Sequence, residues 1–176
     1  VFQSITLIGI GLIGSSIARA VKKRNDLVQT VTLTDVNADV RQKAKEIGLG
    51  DNVLDDVTVA VKDADCVILC TPIGNYAEIM QNISNHLKSG CIVSDVGSVK
   101  RAPIADMSPH IPNGVHLVPG HPIAGTEKSG PESGFAELFE GRYWLLTPGL
   151  ETARNATQRM RNLFEGIGAM VEEMDP

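Results

Sequence analysis

Apolar residues along this chain fall into two alternating patterns: short continuous runs, and stretches in which they recur every three or four positions. A run of four to eight apolar residues fits a strand buried on both faces, and the wider spacing fits one stripe of a helix. Ile5 to Ile8 is the first run, and Ile13, Ile17, Ala18 and Val21 follow at helical spacing. Val31 to Asp35 is the second run, after which Asn37 can cap a helix reaching Ile47. Ala44 and Ile47 are expected on its apolar side, with Gly48 just past its end. A short strand at 52–54 and a helical turn at 57–61 lead into Cys66 to Cys70, where Pro72 holds Thr71 extended and ends the strand. From Asn75 to Leu87 a helix is predicted with Ile79, Ile83 and Leu87 on one face. A strand from Cys91 to Asp95, a helix from Lys100 to Met107 and a sixth strand from Val115 to Val118 complete the alternation. Strand–helix alternation of this kind implies an α/β fold with a doubly wound, mostly parallel sheet.

The pattern changes after Pro119. Residues 120–141 are rich in Gly, Ser and Glu, with a short amphipathic piece around Phe135 to Phe139. Tyr143 to Leu146 then reads as a strand, Glu151 to Phe164 as a helix and Ala169 to Met174 as a closing strand. The chain starts at Val1 rather than Met and stops at Pro176 directly after that strand, so it reads as trimmed at one end and cut at the other.

The first strand–helix junction carries specific chemistry. Gly9-Ile10-Gly11-Leu12-Ile13-Gly14 has the spacing G-x-G-x-x-G between a strand and a helix, the context of a dinucleotide fingerprint. Gly9 permits the sharp turn, Gly11 lets a pyrophosphate approach the backbone, and Gly14 lets helix and strand pack closely. The free N–H groups at the start of the helix, near Leu12 and Ile13, then face the phosphates. The second half of the fingerprint is Asp35, at the end of the second strand and at the expected distance beyond the last glycine. A carboxylate there accepts hydrogen bonds from a ribose 2′-hydroxyl and repels a 2′-phosphate. Val36 and Asn37 come next, so no arginine directly follows to receive that phosphate. The pair favours NAD over NADP; the alternative is a plain glycine turn and a helix-capping Asp.

Composition narrows the remaining classes. The 176 residues suit one domain, spanning 1–176, with enough chain for a core. A hydrophobic content of 43% with 21% charged residues is globular rather than disordered. A net charge of -5 without a basic block argues against nucleic-acid or anionic-membrane partners. No apolar run is long enough to span a bilayer, and no secretory leader is visible. Cys66, Cys70 and Cys91 sit in apolar strands without C-x-x-C spacing, which suggests buried thiols and a cytoplasmic setting rather than metal or redox chemistry.

Ligands of open parallel sheets gather outside the carboxyl ends of the strands. Four segments converge there in this reading: the glycine turn, Thr71-Pro72-Ile73, Asp95-Val96-Gly97-Ser98, and Gly120 to Thr126. Thr71 and Pro72 are expected to pass the ribose and nicotinamide side, and Gly97 and Gly125 to allow close approach. Of the four histidines, His121 alone follows a strand into a Gly/Pro-rich loop on that edge. His86 falls in a helical segment, His110 in a loop, and His116 at the start of a strand, hence at the opposite end of the sheet. A neutral imidazole can accept the hydroxyl proton when an alcohol carbon gives up hydride, and Ser98 could hold the same hydroxyl in line. On the residues alone, His121 is equally a structural loop residue.

Gly9 to Ser15, Cys70-Thr71-Pro72, Asp95 to Lys100, His121-Pro122-Ile123-Ala124-Gly125-Thr126-Glu127-Lys128-Ser129-Gly130 and Tyr143 to Pro148 occur in order. Together they resemble the prephenate/arogenate (cyclohexadienyl) dehydrogenases of tyrosine biosynthesis along essentially the whole chain. The HPIAGTEKSG segment is the most distinguishing part. The resemblance implies a Rossmann-type domain and NAD-dependent oxidative decarboxylation of prephenate or arogenate. Hydride leaves the ring carbon bearing the 4-hydroxyl, His121 takes the hydroxyl proton, and Ser98 orients both. Loss of CO2 then makes the ring aromatic, and no metal is called for. Thr126 and Glu127 are implied as substrate-pocket residues.

Relatives of this kind continue into an all-helical domain that forms a homodimer and supplies an arginine for the substrate's carboxylate; it is absent from this chain. Lys128 and Arg142 are the conceivable partial substitutes within 1–176. Two other readings stand beside this one. A β-hydroxyacid or imino-acid dehydrogenase would carry its catalytic base in a helical domain rather than HPIAG after the sixth strand. A non-enzymatic NAD-binding regulatory module would make His121 and Ser98 incidental.

Overall fold

The central strands of the first half are buried on both faces, and the alternation of their side chains divides the core into two layers. The computed structural model describes all 176 residues. In chain order its first half contains β1 (Phe2–Ile8), α1 (Leu12–Lys23), β2 (Val28–Thr34), α2 (Ala38–Glu46), β3 (Asn52–Leu54) and α3 (Val57–Val61). It continues with β4 (Cys66–Leu69), α4 (Tyr76–Ile83), β5 (Ile92–Asp95), α5 (Arg101–Met107) and β6 (His116–Leu117). The six strands are all parallel in the order β3-β2-β1-β4-β5-β6. The order reverses between β1 and β4, and such a switch point opens a crevice at the carboxyl ends. Ile5, Leu7, Cys66, Ile68 and Ile92 face one layer, whereas Ile8, Val67, Leu69 and Val93 face the other. This is the period-two alternation of a strand, with both sides apolar because helices cover both. Thr6 turns toward the second layer, and its hydroxyl donates to the Ala60 carbonyl at 2.6 Å.

The remaining chain builds a second sheet from β7 (Gly120–Pro122), β8 (Tyr143–Leu146) and β9 (Met170–Glu173), with α6 (Arg154–Gly166) between the last two. β8 runs antiparallel to β7 and parallel to β9. Trp144 and Leu146 point into the same core layer as α1. The Trp144 ring stacks on Phe164 at 3.7 Å between centroids and tilts against Phe139 at 5.1 Å. These aromatic contacts tie β8 to α6 and to the segment before β8, and the three rings share one apolar cluster with Ile5, Leu7 and Ile68 of the large sheet.

Several sequence expectations change in detail. The second strand begins at Val28, and Asp35 lies just past its end. Ile47 is exposed: α2 stops at Glu46, the chain turns at Gly48, and Ala44 alone is buried from that helix. The predicted helix from Asn75 to Leu87 is shorter, with α4 flanked by single 3-10 turns at Ile73–Asn75 and Ser84–His86. Its buried stripe is Tyr76, Met80 and Ile83, while Ile79 and Leu87 are only partly covered. The last helix starts at Arg154 rather than Glu151. Cys66 and Cys91 are buried and Cys70 half-buried; burial pushes all three thiols up, Cys91 to about 12. Cys66 lies in β4 as the sequence suggests, whereas Cys70 follows that strand and Cys91 precedes β5.

Candidate functional site

Register brings Ile8, Thr34, Leu69 and Asp95, the last residues of four strands, level with one another. The turns that follow them therefore share one edge. Gly9 has φ +101, and a Cβ there would sit 2.8 Å from the Cys70 carbonyl. At Gly14 a Cβ would collide with the Gly9 carbonyl oxygen. At Gly11 it would meet nothing within 4 Å. The first and third glycines are thus demanded by packing, and the second faces open space. Gly11 caps α1 with no side-chain hydrogen bond, and no acidic residue stands in the first turn. The N–H groups and positive dipole end at Leu12 and Ile13 are left available to an anion, as a pyrophosphate cradle requires.

Asp35 is half-buried beside this turn. One of its oxygens accepts from the Ile10 N–H at 2.8 Å and the other from the Asn37 N–H at 2.9 Å. An arginine does stand nearby: Arg41 reaches back from α2 to donate to the carbonyls of Asp35 at 2.7 Å and Val36 at 3.1 Å. Only Val36 and Asn37 adjoin Asp35 in sequence, but one helical turn returns position 41 to the strand end. Thr71, Pro72 and Ile73 follow β4, and the Ile73 side chain lies against Gly97. A Cβ on Gly97 would sit 2.9 Å from an Asp95 carboxylate oxygen and 3.0 Å from Ile73. Its small size serves that contact, whereas Gly125 faces open space.

Asp95 is fully buried at the end of β5. Its oxygens accept from the N–H of Gly97 at 2.9 Å, the N–H of Gly120 at 3.1 Å and the Lys100 ammonium at 2.6 Å. Lys100 also donates to the Gly120 carbonyl at 2.6 Å. This cluster joins the turn carrying Ser98 to the strand carrying His121. His121 lies in β7, opposite Leu145, rather than in the expected loop. Three ladder positions shared with β8 make that segment extended despite its Gly and Pro. Burial, and then the charge of Lys100, push the His121 pKa down, against an opposing pull from Asp95.

Ser98 is exposed, between the two residues that hold Asp95. Thr126 accepts from the Lys128 N–H at 3.2 Å, and Glu127 is exposed. Thr126 lines a cleft of about 430 Å³ with Ile123, Phe135 and Arg142 among its walls. His116 pairs with Ile92 at the start of β5, at the far end of the sheet. The loop between Ser129 and Phe135 docks on the first helices, which its composition does not reveal. Arg19 donates to the Pro131 carbonyl at 2.8 Å, Ser16 Oγ accepts from the Phe135 N–H at 3.1 Å, and Lys43 pairs with Glu132 at 2.9 Å. Gly134 is the sequence signal for that contact, since a Cβ there would sit 2.8 Å from the Ser16 nitrogen.

The strand order, the glycine turn and the carboxylate at the second strand define a Rossmann-type nucleotide-binding domain. The sequence matches the prephenate dehydrogenase nucleotide-binding domain family over residues 17–173, and the chain belongs to that family. It is 42% identical to a cyclohexadienyl dehydrogenase of Zymomonas mobilis, over 99% of this chain and 59% of that protein. Among solved structures it is similar to prephenate dehydrogenase from Aquifex aeolicus in complex with hydroxyphenyl propionate and NAD+. The TM-score is 0.89 at 30% identity, covering 99% of this chain and 60% of the other. Arogenate dehydrogenase from Synechocystis gives a TM-score of 0.90 at 28% identity, again covering 99% and 60%. The chain therefore spans about three fifths of the length of these relatives. No helix is long and apolar enough to cross a membrane.

Proposed function

We propose that this chain is the NAD-binding part of a dehydrogenase that oxidatively decarboxylates prephenate or arogenate. The observation that carries the reading is the joint between Asp95, Lys100 and Gly120, which sets His121 beside the strand-end edge that holds the glycine turn. Gly9, Gly11, Leu12, Ile13 and Gly14 bind the pyrophosphate, Asp35 the adenosine ribose, and Thr71, Pro72, Ile73 and Gly97 the nicotinamide side. NAD, when bound, supplies the hydride acceptor.

His121 takes the proton of the substrate's 4-hydroxyl as hydride leaves the carbon that bears it. Ser98 hydrogen-bonds the same hydroxyl and sets its direction. When the ring carboxyl departs as CO2, its electron pair enters the ring, and the ring oxygen recovers the proton from His121. The step is balanced without net proton release. The push of burial and Lys100 on His121 favours the neutral imidazole that accepting a proton requires. Thr126 and Glu127 flank the substrate, and the complete protein is a homodimer through the helices that follow in its relatives.

The test uses the full-length protein that carries this chain. Incubation with NAD and either prephenate or arogenate should generate reduced nicotinamide together with CO2. Binding of NAD with no reduction by either substrate would leave a nucleotide-binding module and refute the enzymatic reading.

A further inference from the structure

A buried ion pair grips the peptide that precedes His121. The Asp95 side chain is wholly buried and that of Lys100 nearly so, at 9% exposure. Burying two charges is costly unless their remaining donors and acceptors are engaged. Here the spare capacity goes to backbone: Asp95 accepts the N–H groups of Gly97 and Gly120, and Lys100 donates to the Gly120 carbonyl. Both polar groups of Gly120 are therefore held by one pair of side chains. No side chain at position 120 could do the same, since a Cβ would fall 2.9 Å from the Asp95 carbonyl and 2.8 Å from Trp144 Nε1. β7 is only three residues long, so fixing its first residue largely fixes His121.

We propose that Lys100, anchored by Asp95, is a positioning residue for His121: it clamps the strand that presents the imidazole and brings a positive charge to the same end of the sheet. This deepens the functional reading above and rests on it. The charged groups facing His121 can be followed element by element. The end of β5 and its turn bring Asp95 and Lys100, which act on it in opposite senses. β8 places Leu145 opposite it and Tyr143 one position along the same face; β9 places Glu172 opposite Leu145. Burial adds to the effect of Lys100. Removing the ammonium leaves the Asp95 carboxylate unopposed, which stabilises the protonated ring.

The test is the pH dependence of kcat/KM in the full-length protein, for Lys100→Met, Lys100→Gln and His121→Asn. Lys100→Gln keeps a donor for the Gly120 carbonyl and loses the charge, so the acid limb should move to higher pH while the plateau falls little. Lys100→Met loses both; its limb should move likewise, and its plateau should fall by about ten- to a hundredfold, as expected of a slightly misplaced base. NAD affinity should stay near that of the parent in both. A merely structural lysine would lower thermal stability and leave the limb where it is, which overturns the proposal. If Lys100→Met does not fold, the limb of Lys100→Gln decides alone. His121→Asn separates the two levels. If it keeps the limb and normal hydride transfer, the reading of the site falls and this proposal with it. If it abolishes them while the Lys100 variants leave the limb in place, the reading stands and the role of Lys100 is wrong.

Discussion

The Asp35 carboxylate accepts a hydrogen bond from the Ile10 N–H at 2.8 Å, so the end of the second strand holds the middle of the glycine turn. A residue read from sequence as a ribose ligand is thus a brace for the glycine turn.

Asp35→Ala should accordingly do three things. It should weaken NAD binding, relax discrimination against NADP, and lower stability by about 1–3 kcal/mol, because the Ile10 N–H loses its partner. Arg41, already at the strand end, becomes available to a 2′-phosphate. Asp35→Asn should retain more stability, since its amide oxygen can still accept from Ile10. Titrations with both cofactors and thermal melts of the variants test this. Equal affinity of the parent protein for NAD and NADP would sink the selectivity argument.

Gly11 and Gly14 should respond to alanine in opposite ways. Gly11 has φ -86 and open space where a Cβ would go, so Gly11→Ala should leave the melting temperature of the free protein unchanged and reduce NAD affinity. At Gly14 the new Cβ meets the Gly9 carbonyl oxygen, so Gly14→Ala should cost about 1–3 kcal/mol even without cofactor. Melting both variants with and without NAD checks the pair. A Gly11→Ala protein as destabilised as Gly14→Ala would mean that the second glycine serves packing rather than ligand approach.

The six-stranded sheet was legible because each central strand, covered on both faces, spells itself as an apolar run such as Cys66 to Leu69. β7 was not, since Gly120-His121-Pro122 has neither β-propensity nor alternation, and its partner β8 lies more than twenty residues further on. Lys100 was hidden for a related reason. Its partner Asp95 is local, but its second acceptor is a backbone carbonyl at position 120, which no side-chain pattern reveals. Tyr76 is hidden from an apolar pattern of Ile79, Ile83 and Leu87 because hydropathy ranks isoleucine above tyrosine. In the fold the tyrosine is fully buried, with its hydroxyl reaching the Leu69 carbonyl at 3.4 Å.

The 176-residue chain alone should sediment as a monomer or a weak associate at micromolar concentration. Its second sheet leaves Ile123, Tyr143 and Met170 about half exposed on the face opposite Trp144. Three such side chains fall well short of the roughly 800 Å² per partner of a stable interface. A tight dimer of the isolated chain would contradict this, and would place dimerisation within residues 1–176.

His121→Asn carries the sharpest test of the chemistry. The glycine turn and Asp35 follow other strands, so NAD affinity of the full-length variant should stay nearly intact. Turnover should drop by roughly 10² to 10⁴, the range typical of losing a positioned general base. The sign of the pH effect follows from the base being active when neutral. Rate should rise with pH through the His121 pKa, and burial and Lys100 hold that value below the ordinary histidine range, so the plateau begins at lower pH than for a free imidazole. The limb should vanish in the variant. Ser98→Ala should cost less, because it removes an orienting hydrogen bond and leaves the base in place. Were His121 only a strand residue between Gly120 and Pro122, the substitution would lower stability or cofactor binding and spare the chemical step. Single-turnover hydride transfer and NAD affinity, measured on the same folded variant, separate the two. Normal hydride transfer in that protein ends the catalytic assignment of His121.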